Sequence, residues 1–421
     1  MKTLSRLLLI ALLAVGLTTG LSANGLNLNG TGAKSDAMGG AFVGLANDFS
    51  AAYWNPGGLA QITKASFSLY GADILPTGTY ALSPLGIDAK SIAKEGYFIP
   101  GLGYFQPVGD RVVVGIYVYA PSGAGADWDG TALEALSGGK PFKWHSMLGI
   151  FTASPAIAVK ITDQVMLGAT VDINYGMLSM DQPFALGQYS EKLKGLAVGG
   201  TIGLLVKPVK QFSFGVTYKL PFTAKLKGDV NIPNALAFAA DPNFPVTSAT
   251  DTGTRSATWP MWLAGGIAIK PTDKLTITAD VQYTNWHKLQ DIPISFENAS
   301  WQHWFGADGP YDRVDELLWR NTTMLRFGAE YLVTNAFALR AGYTNDPNPG
   351  PISTQNILLP EFKYNWFTFG FGYNSRSFTV NAAIQYGKGA TIDVPLVGDN
   401  AMPGLHGMRM WVPSLDFSYK F

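Results

Sequence analysis

The sequence predicts an all-β protein, a transmembrane antiparallel β-barrel of about 14 strands with an N-terminal hatch (a plug) inside its lumen. Three observations lead there. Segments of about ten residues alternate apolar and polar side chains. The connections between them alternate strictly between short and long. The chain opens on what reads as an export signal, yet only 14% of its residues are charged.

Composition narrows the classes. Soluble domains carry roughly 25% charged residues, well above the value here. Thirty basic and thirty acidic residues cancel, so there is no electrostatic case for nucleic acid. Forty-eight glycines argue against a helical bundle. No run after residue 25 approaches the roughly 18 apolar residues of a spanning helix. With no cysteine, a disulfide scaffold and a thiolate metal site are both excluded.

Residues 1–23 read as a signal peptide. Lys2 and Arg6 supply positive charge, Leu7 to Leu17 form the apolar segment, and Ala23 offers a small residue for cleavage, with Leu21 an imperfect partner two positions earlier. The mature chain is expected to start near Asn24. Residues 24–62 are assigned to the hatch. Gly25 to Gly40 is polar and glycine-rich; Gly39 to Gln61 is apolar and small, with neither a helical period nor an alternation.

Residues 63–421 are assigned to the barrel. Strand-like segments run over 64–72, 97–107, 111–120, 144–160, 164–175, 194–206, 211–220, 258–270, 274–286, 319–333, 336–344, 364–373, 377–386 and 409–421. Val108-Gly109-Asp110, Ile161-Thr162-Asp163, 207–210, 271–273, Thr334-Asn335 and Asn374-Ser375-Arg376 are tight turns, each after every second strand. Long connections such as 222–257 and 287–318 fall between. One end of the cylinder therefore has turns and the other loops, as in outer-membrane barrels.

Side-chain patterning agrees. Leu167, Val171 and Ile173 alternate with Gly168, Thr170, Asp172 and Asn174; Phe367, Phe369, Phe371 and Tyr373 alternate with Thr368, Gly370 and Gly372. The apolar set would face inward in a soluble sandwich and outward to lipid in a membrane barrel. The turn pattern, the export signal and the low charge favour the second. Aromatics at segment ends (Tyr175, Tyr218, Trp286, Tyr331, Tyr343, Tyr386, Trp411) suit the girdles at the lipid boundaries. Alternating aromatics up to the terminal Phe421 resemble the last strand of bacterial outer-membrane barrels.

A cylinder of this size is too wide for its own side chains to fill, so it is either a water channel or occluded. Val112 to Tyr119 is apolar on both faces, which points to a greasy lumen site rather than a porin bore. Inward charges cluster at Asp280, Arg326, Glu330 and Arg340, with Lys219 nearby. They brace the lumen as ion pairs, or one of Lys219, Arg326 and Arg340 meets a ligand carboxylate. Both readings stay open at this stage.

Ala37-Met38-Gly39-Gly40-Ala41 followed by Asn55-Pro56 resembles the hatch of FadL-type outer-membrane transporters of long-chain fatty acids or aromatic hydrocarbons. Similar stretches are 154–160 leading into Gly168-Ala169, 217–222, 339–343 and Asp346-Pro347-Asn348-Pro349. Gly57 departs from the family's usual alanine in the hatch motif Asn55-Pro56-Gly57. Glu361-Phe362-Lys363-Tyr364 lacks the family's usual Asp-Arg pair.

The resemblance implies a fourteen-strand barrel and a route for ligand. Ligand would meet an outer-loop groove, for which Met177, Leu178, Met180, Phe184, Leu236, Phe238 and Phe244 are the candidates. It would then enter an inner site, for which Phe42, Phe49, Tyr53, Trp54, Tyr117 and Tyr119 are the candidates, with Lys219, Arg326 and Arg340. It would leave sideways through a wall gap at a kink in the third strand. Gly115 on that strand and Pro100 and Pro155 on its neighbours are the candidates there, since proline cannot donate to a ladder.

The expected function is passive uptake of hydrophobic small molecules across the bacterial outer membrane by a multi-pass, monomeric barrel. Its partners are the ligand and the surrounding lipid and lipopolysaccharide, with no cofactor and no metal. A general diffusion porin is the main alternative and an outer-membrane hydrolase a remoter one. The four histidines show no nucleophile or metal spacing. Whether the cargo is a fatty acid, an aromatic hydrocarbon or an alkane is left open.

Overall fold

The computed structural model describes residues 25–91, 96–184, 187–312, 315–398 and 400–421. The expected signal peptide, 1–23, lies outside them. The wall is a closed ring of 14 antiparallel strands. In order these are β1 (Ser66–Leu82), β2 (Tyr97–Val108), β3 (Val112–Trp128), β4 (Trp144–Lys160), β5 (Val165–Phe184), β6 (Gly187–Val209), β7 (Phe212–Lys219, resumed as Phe222–Asn231), β8 (Thr250–Trp259, resumed as Trp262–Thr272), β9 (Leu275–Thr284), β10 (Thr322–Leu332), β11 (Phe337–Asp346), β12 (Tyr364–Asn374), β13 (Phe378–Gly389) and β14 (Gly404–Lys420). Each pairs with the next, and β1 closes the ring by pairing Leu69 with Leu102 of β2 and with Phe417 of β14. The breaks in β7 and β8 fall at Pro221 and Pro260, residues with no N–H to give to a ladder.

Burial settles which face is which. Val171, Phe369 and Leu415 are 55%, 62% and 55% exposed, while Asp172, Thr368 and Asp416 between or beside them are at most 1% exposed. An apolar outside and a polar inside is the reverse of a soluble protein and belongs to a wall immersed in lipid.

The strands outrun the sequence-based boundaries at the loop end. The expected segment 164–175 is Val165–Phe184 and the expected 194–206 is Gly187–Val209. Much of the expected loop 222–257 is a hairpin, paired from Phe222↔Trp259 to Asn231↔Thr250. The 23 residues of β6 extend roughly 75 Å at about 3.3 Å each, far beyond a lipid-facing band of about 25 Å. Above the lipid the outer face has no reason to be apolar. Alternation therefore fades while backbone pairing continues.

The segment from Gly25 to Ile62 runs inside the ring. It forms two short helices, α1 (Ala33–Ala37) and α2 (Ala51–Trp54), and a 3-10 turn, Pro56–Gln61. Pieces this short leave most of their backbone groups without internal partners, and the inward side chains of the wall meet them. Ala33 N–H donates to Asp416 Oδ2 at 2.9 Å, Gly39 N–H to Thr368 Oγ1 at 3.0 Å and Val43 N–H to Asp280 Oδ2 at 2.7 Å. In return Ser213, Thr217 and Thr344 donate their hydroxyls to the carbonyls of Gly44, Trp54 and Gly39. These partners sit on β7, β9, β11, β12 and β14, so the segment is held from most sides of the ring.

Asn55 anchors its last turn. Its Oδ1 accepts from Gly57 N–H at 3.1 Å, and its Nδ2 donates to the Val43 and Leu204 carbonyls. Pro56 begins the turn, where its missing N–H costs nothing. Gly57 needs its lack of a side chain, because a Cβ there would sit 2.8 Å from the Gly203 carbonyl oxygen of β6.

Replacing Asp280 with Ala removes the acceptor for Val43 N–H and leaves the wall ladder intact. We expect the inner segment to lose about 1–3 kcal/mol of local stability. Planar-bilayer recording should show larger or more frequent ion conductance than the native protein, with the barrel still folded by heat-dependent gel mobility.

Candidate functional site

A cavity of about 410 Å³ lies above the inner segment, bounded by β1–β5, β11–β14, residues 25–30 and the loop residues Pro360 and Glu361. Its lining is mostly apolar and carries Met147, Met177, Met408 and Met410, thioethers that fit irregular apolar guests well. The polar lining groups are largely occupied with one another. Asn29 Nδ2 donates to Gln385 Oε1 at 2.8 Å, Ser122 Oγ to Asn27 Oδ1 at 3.1 Å, and Trp366 Nε1 to Asp346 Oδ2 at 3.1 Å. Glu361 is buried beside Asp346, and desolvation together with that neighbouring carboxylate pushes its carboxyl well above the usual range.

The wall next to this cavity has a seam. The β2–β3 ladder runs from Val108↔Val112 to Leu102↔Val118 and stops. Beyond that point Tyr97 to Gly101 still pair with β1. β3 instead slips register against β4 between Tyr119 and Ser122, a stretch that holds Pro121. Past the slip, the edge of β3 bonds inward to the N-terminal segment. Leu28 N–H donates to the Pro121 carbonyl, and Gly123 N–H donates to the Leu26 carbonyl, both at 3.0 Å. The cavity reaches the seam, being lined by Tyr97, Phe98 and Ile99 on one side and by Ala120 and Ser122 to Gly125 on the other. Both Leu148 and Ile150, and Met147 and Phe151, line it; these sets point to opposite faces of β4. Residues from both faces of β4 thus border the space beside the seam.

The seam lies away from two of the three residues expected at a wall gap. Gly115 lies in unbroken ladder, paired with Phe105 and with Ala156. A Cβ there would come within 2.2 Å of the Tyr104 carbonyl oxygen. Pro100 sits on the β2 side of the seam, still paired with Gly71. Pro155 interrupts β4–β5 pairing, which resumes at Ala156↔Thr170. The sequence reading ends the third strand at 120, one residue short of Pro121, where pairing changes partner.

The aromatic residues expected at an inner site do assemble, but as packed core below the cavity. Phe49 meets Tyr117 edge-on at 5.4 Å, Tyr117 stacks on Tyr119 at 4.7 Å, and Tyr53 meets Tyr119 at 5.6 Å and Trp54 at 4.9 Å. Phe42 is fully buried in the same cluster. None of these residues is among those lining the cavity. The stack fastens the inner segment to β3.

Two of the three lumen cations are held in ion pairs. Lys219 Nζ lies 3.1 Å from Asp172 and over the Tyr53 and Tyr119 rings. Arg340 Nε donates to Glu330 at 2.7 Å, and Lys34 of the inner segment joins that carboxylate at 3.5 Å. Arg326 donates from Nη1 to Gln282 at 2.6 Å and lies over the Trp54 ring, while its Nε and Nη2 are buried with no hydrogen-bond partner among the described residues. Of the outer-groove candidates, Met177 lines the cavity and Leu178 is buried in the outer core. Phe184 and Phe238 pack around Phe305 and Tyr311, Phe244 stacks on His303, and Leu236 stays exposed.

Sequence reasoning missed Met147, Met408, Met410 and the 27–29 stretch. Their strands were recognised, but no periodicity marks which residues of a long strand border a space. Glu361 did leave a signal, as a departure from the family pattern.

Substituting Lys219 by Met leaves Asp172 buried without its cation. That should cost about 3–5 kcal/mol of stability, read by denaturant unfolding, while binding of an apolar probe in the cavity stays within twofold of native.

A family model described as Outer membrane protein transport protein (OMPP1/FadL/TodX) matches residues 14–421. Outer membrane protein P1 of Haemophilus influenzae is 22% identical over 423 residues, covering 87% of each chain. A 47 kDa outer membrane protein of Pasteurella multocida is 21% identical over 382 residues, covering 84% of each. Among solved structures, a Pseudomonas aeruginosa FadL homologue superimposes with a TM-score of 0.75 at 20% identity, covering 94% of this chain and 100% of that one. The P. putida toluene transporter TodX does so with a TM-score of 0.70 at 20% identity, covering 94% and 99%. The chain belongs to the OMPP1/FadL/TodX family and is a multi-pass transport protein of the bacterial outer membrane, not an enzyme.

Proposed function

We propose that the barrel takes up hydrophobic small molecules passively and releases them sideways into the membrane, with residues 24–62 acting as its hatch. The observation that carries this reading is the apolar cavity that borders the unladdered β2–β3 seam. A guest entering from the loop side at Met177 would slide along methionine and aromatic surface. It would meet the hatch below and find the seam as an apolar way on. The alternative descent through the lumen leads to Asp280, Arg326, Glu330 and Arg340, where polar groups are bonded to each other or to the hatch. A hydrocarbon gains nothing by displacing them.

TodX, a toluene transporter by name, shares this fold, which agrees with a hydrophobic cargo. Because each strand of the ring pairs with the next, this reading takes the wall as a monomer surrounded by lipid and lipopolysaccharide. A porin requires an open aqueous bore, and the hatch occupies that space.

Gly123 offers a direct test. It lines the cavity at the seam, and an added Cβ there meets nothing closer than 3.7 Å. Gly123→Phe should fold normally and cut the initial rate of hydrocarbon uptake by cells several-fold. Native uptake in this variant would exclude the seam as the exit. Steady large conductance by the native barrel in planar bilayers would favour the porin.

A further inference from the structure

The outer face of the wall carries a pattern that the uptake of a guest does not explain. On β14 the outward positions Tyr419, Phe417, Leu415, Pro413 and Trp411 are aromatic or apolar, and the next one toward the loops is Arg409. From Tyr419 to Trp411 is roughly 26 Å of strand at about 3.3 Å per residue, close to the height of a lipid-facing band. The loop-side rim of that band is a row of rings in register across four strands: Tyr343, Phe367, Tyr386 and Trp411. Tyr343 and Phe367 have their ring centres 5.5 Å apart, and Tyr386 and Trp411 theirs 4.5 Å apart. Such rings mark a lipid–water boundary. The next outward row toward the loops reads Asn345, Asn365, Lys388, Arg409 and, on β1, Thr77.

Lys388 and Arg409 stand directly opposite each other on β13 and β14, and both are exposed. Like charges in that arrangement repel. Among the described residues neither joins an ion pair. The outward acids of this sector, Asp88 and Asp393, stand opposite Ala81 and Leu405, about 13 Å further along the strands at about 3.3 Å per residue. A third cation, Lys90, stands opposite Thr79. Two unneutralised cations side by side favour a shared anion, and a guanidinium gives a phosphate two parallel hydrogen bonds. The loops of an outer-membrane barrel lie outside, so this row faces the outer leaflet. There the lipid is lipopolysaccharide, whose phosphates sit just above its acyl chains. We propose that Lys388 and Arg409 bind a phosphate of lipopolysaccharide, with Lys90 beside them and the Tyr386 and Trp411 rings against the acyl chains below. The bound phosphate removes the repulsion that the bare pair carries. The site is on the outside of the wall, so it depends on the outer-membrane placement of the chain and not on the hydrophobe-uptake reading.

The test titrates the purified full-length barrel, in an uncharged detergent and freed of co-purified lipid, with four probes read by native mass spectrometry. These are diphosphoryl lipid A, the same lipid A after dephosphorylation, phosphatidylglycerol and inorganic phosphate. The native protein should hold diphosphoryl lipid A about tenfold more tightly than the dephosphorylated form, and more tightly than phosphatidylglycerol. Lys388→Gln combined with Arg409→Gln should bring the two lipid A forms within about twofold of each other and leave hydrocarbon uptake by cells unchanged. Thermal unfolding adds a reversal of sign. Without lipid the double variant should unfold at the same temperature as the native barrel or higher, since the repulsion is gone; with diphosphoryl lipid A the native barrel should be the more stable. Equal binding of the two lipid A forms by the native protein overturns the proposal, as does an unchanged ratio in a double variant that heat-dependent gel mobility shows to be folded. Phosphatidylglycerol bound as tightly as lipid A makes the pair a general contact for anionic lipid, and inorganic phosphate bound as tightly makes it a site for a free anion; either result overturns the assignment to lipopolysaccharide. The native comparison stands even where the double variant fails to fold, and none of these failures touches hydrophobe uptake.

Discussion

Everything in this barrel depends on how the backbone of one irregular segment is satisfied without bulk water. Residues 25–62 form helices too short to pair all of their own amides, and they sit where a wide ring would otherwise be empty. The wall answers with carboxylates and hydroxyls at matched positions, Asp416 for Ala33, Thr368 for Gly39 and Asp280 for Val43. A backbone amide bonded to a carboxylate is stronger than one bonded to a neutral oxygen, so a few acids on inward faces hold the segment in one pose. The inward polarity of the lower lumen, where an apolar wall was expected from Val112 to Tyr119, follows from this need. Those tyrosines are inward as expected, but they serve as packing for the segment.

The same segment shapes the wall. At Pro121 the third strand cannot donate to a neighbour, and its register slips. The freed edge turns inward and bonds to Leu26 and Leu28, leaving Tyr97 to Gly101 of β2 paired on one side only. A gap in a membrane wall ordinarily exposes backbone groups to lipid at considerable cost. Here the β3 edge is spared by a partner inside the barrel. Occluding the lumen and opening the wall are in this sense one structural event, produced by the first few residues of the described chain.

Charge is concentrated around the hatch, where Lys219 pairs with Asp172 and Arg340 with Glu330. Ion pairs hold Arg340 and Lys219, and Arg326 donates to Gln282. An arginine in a lumen invites a carboxylate ligand when read in isolation, and only the fold shows which of its donors already have partners.

Period-two alternation, the short turns after every second strand and the low charge were legible in the chain, because lipid constrains each outward side chain independently. They sufficed for the ring and its strand number, and small residues around Asn55-Pro56-Gly57 marked the inner segment. Strand length above the lipid was not legible, since no solvent boundary writes a period there. Nor was the position of the seam. Pro121 is one proline among 25, and only the pairing of Ser122 with Asn27, 95 residues away, shows that it redirects a strand. The cavity is likewise a property of the assembled wall. Glu361 and Met410 are far apart in the chain, and only ring closure brings them to the same space.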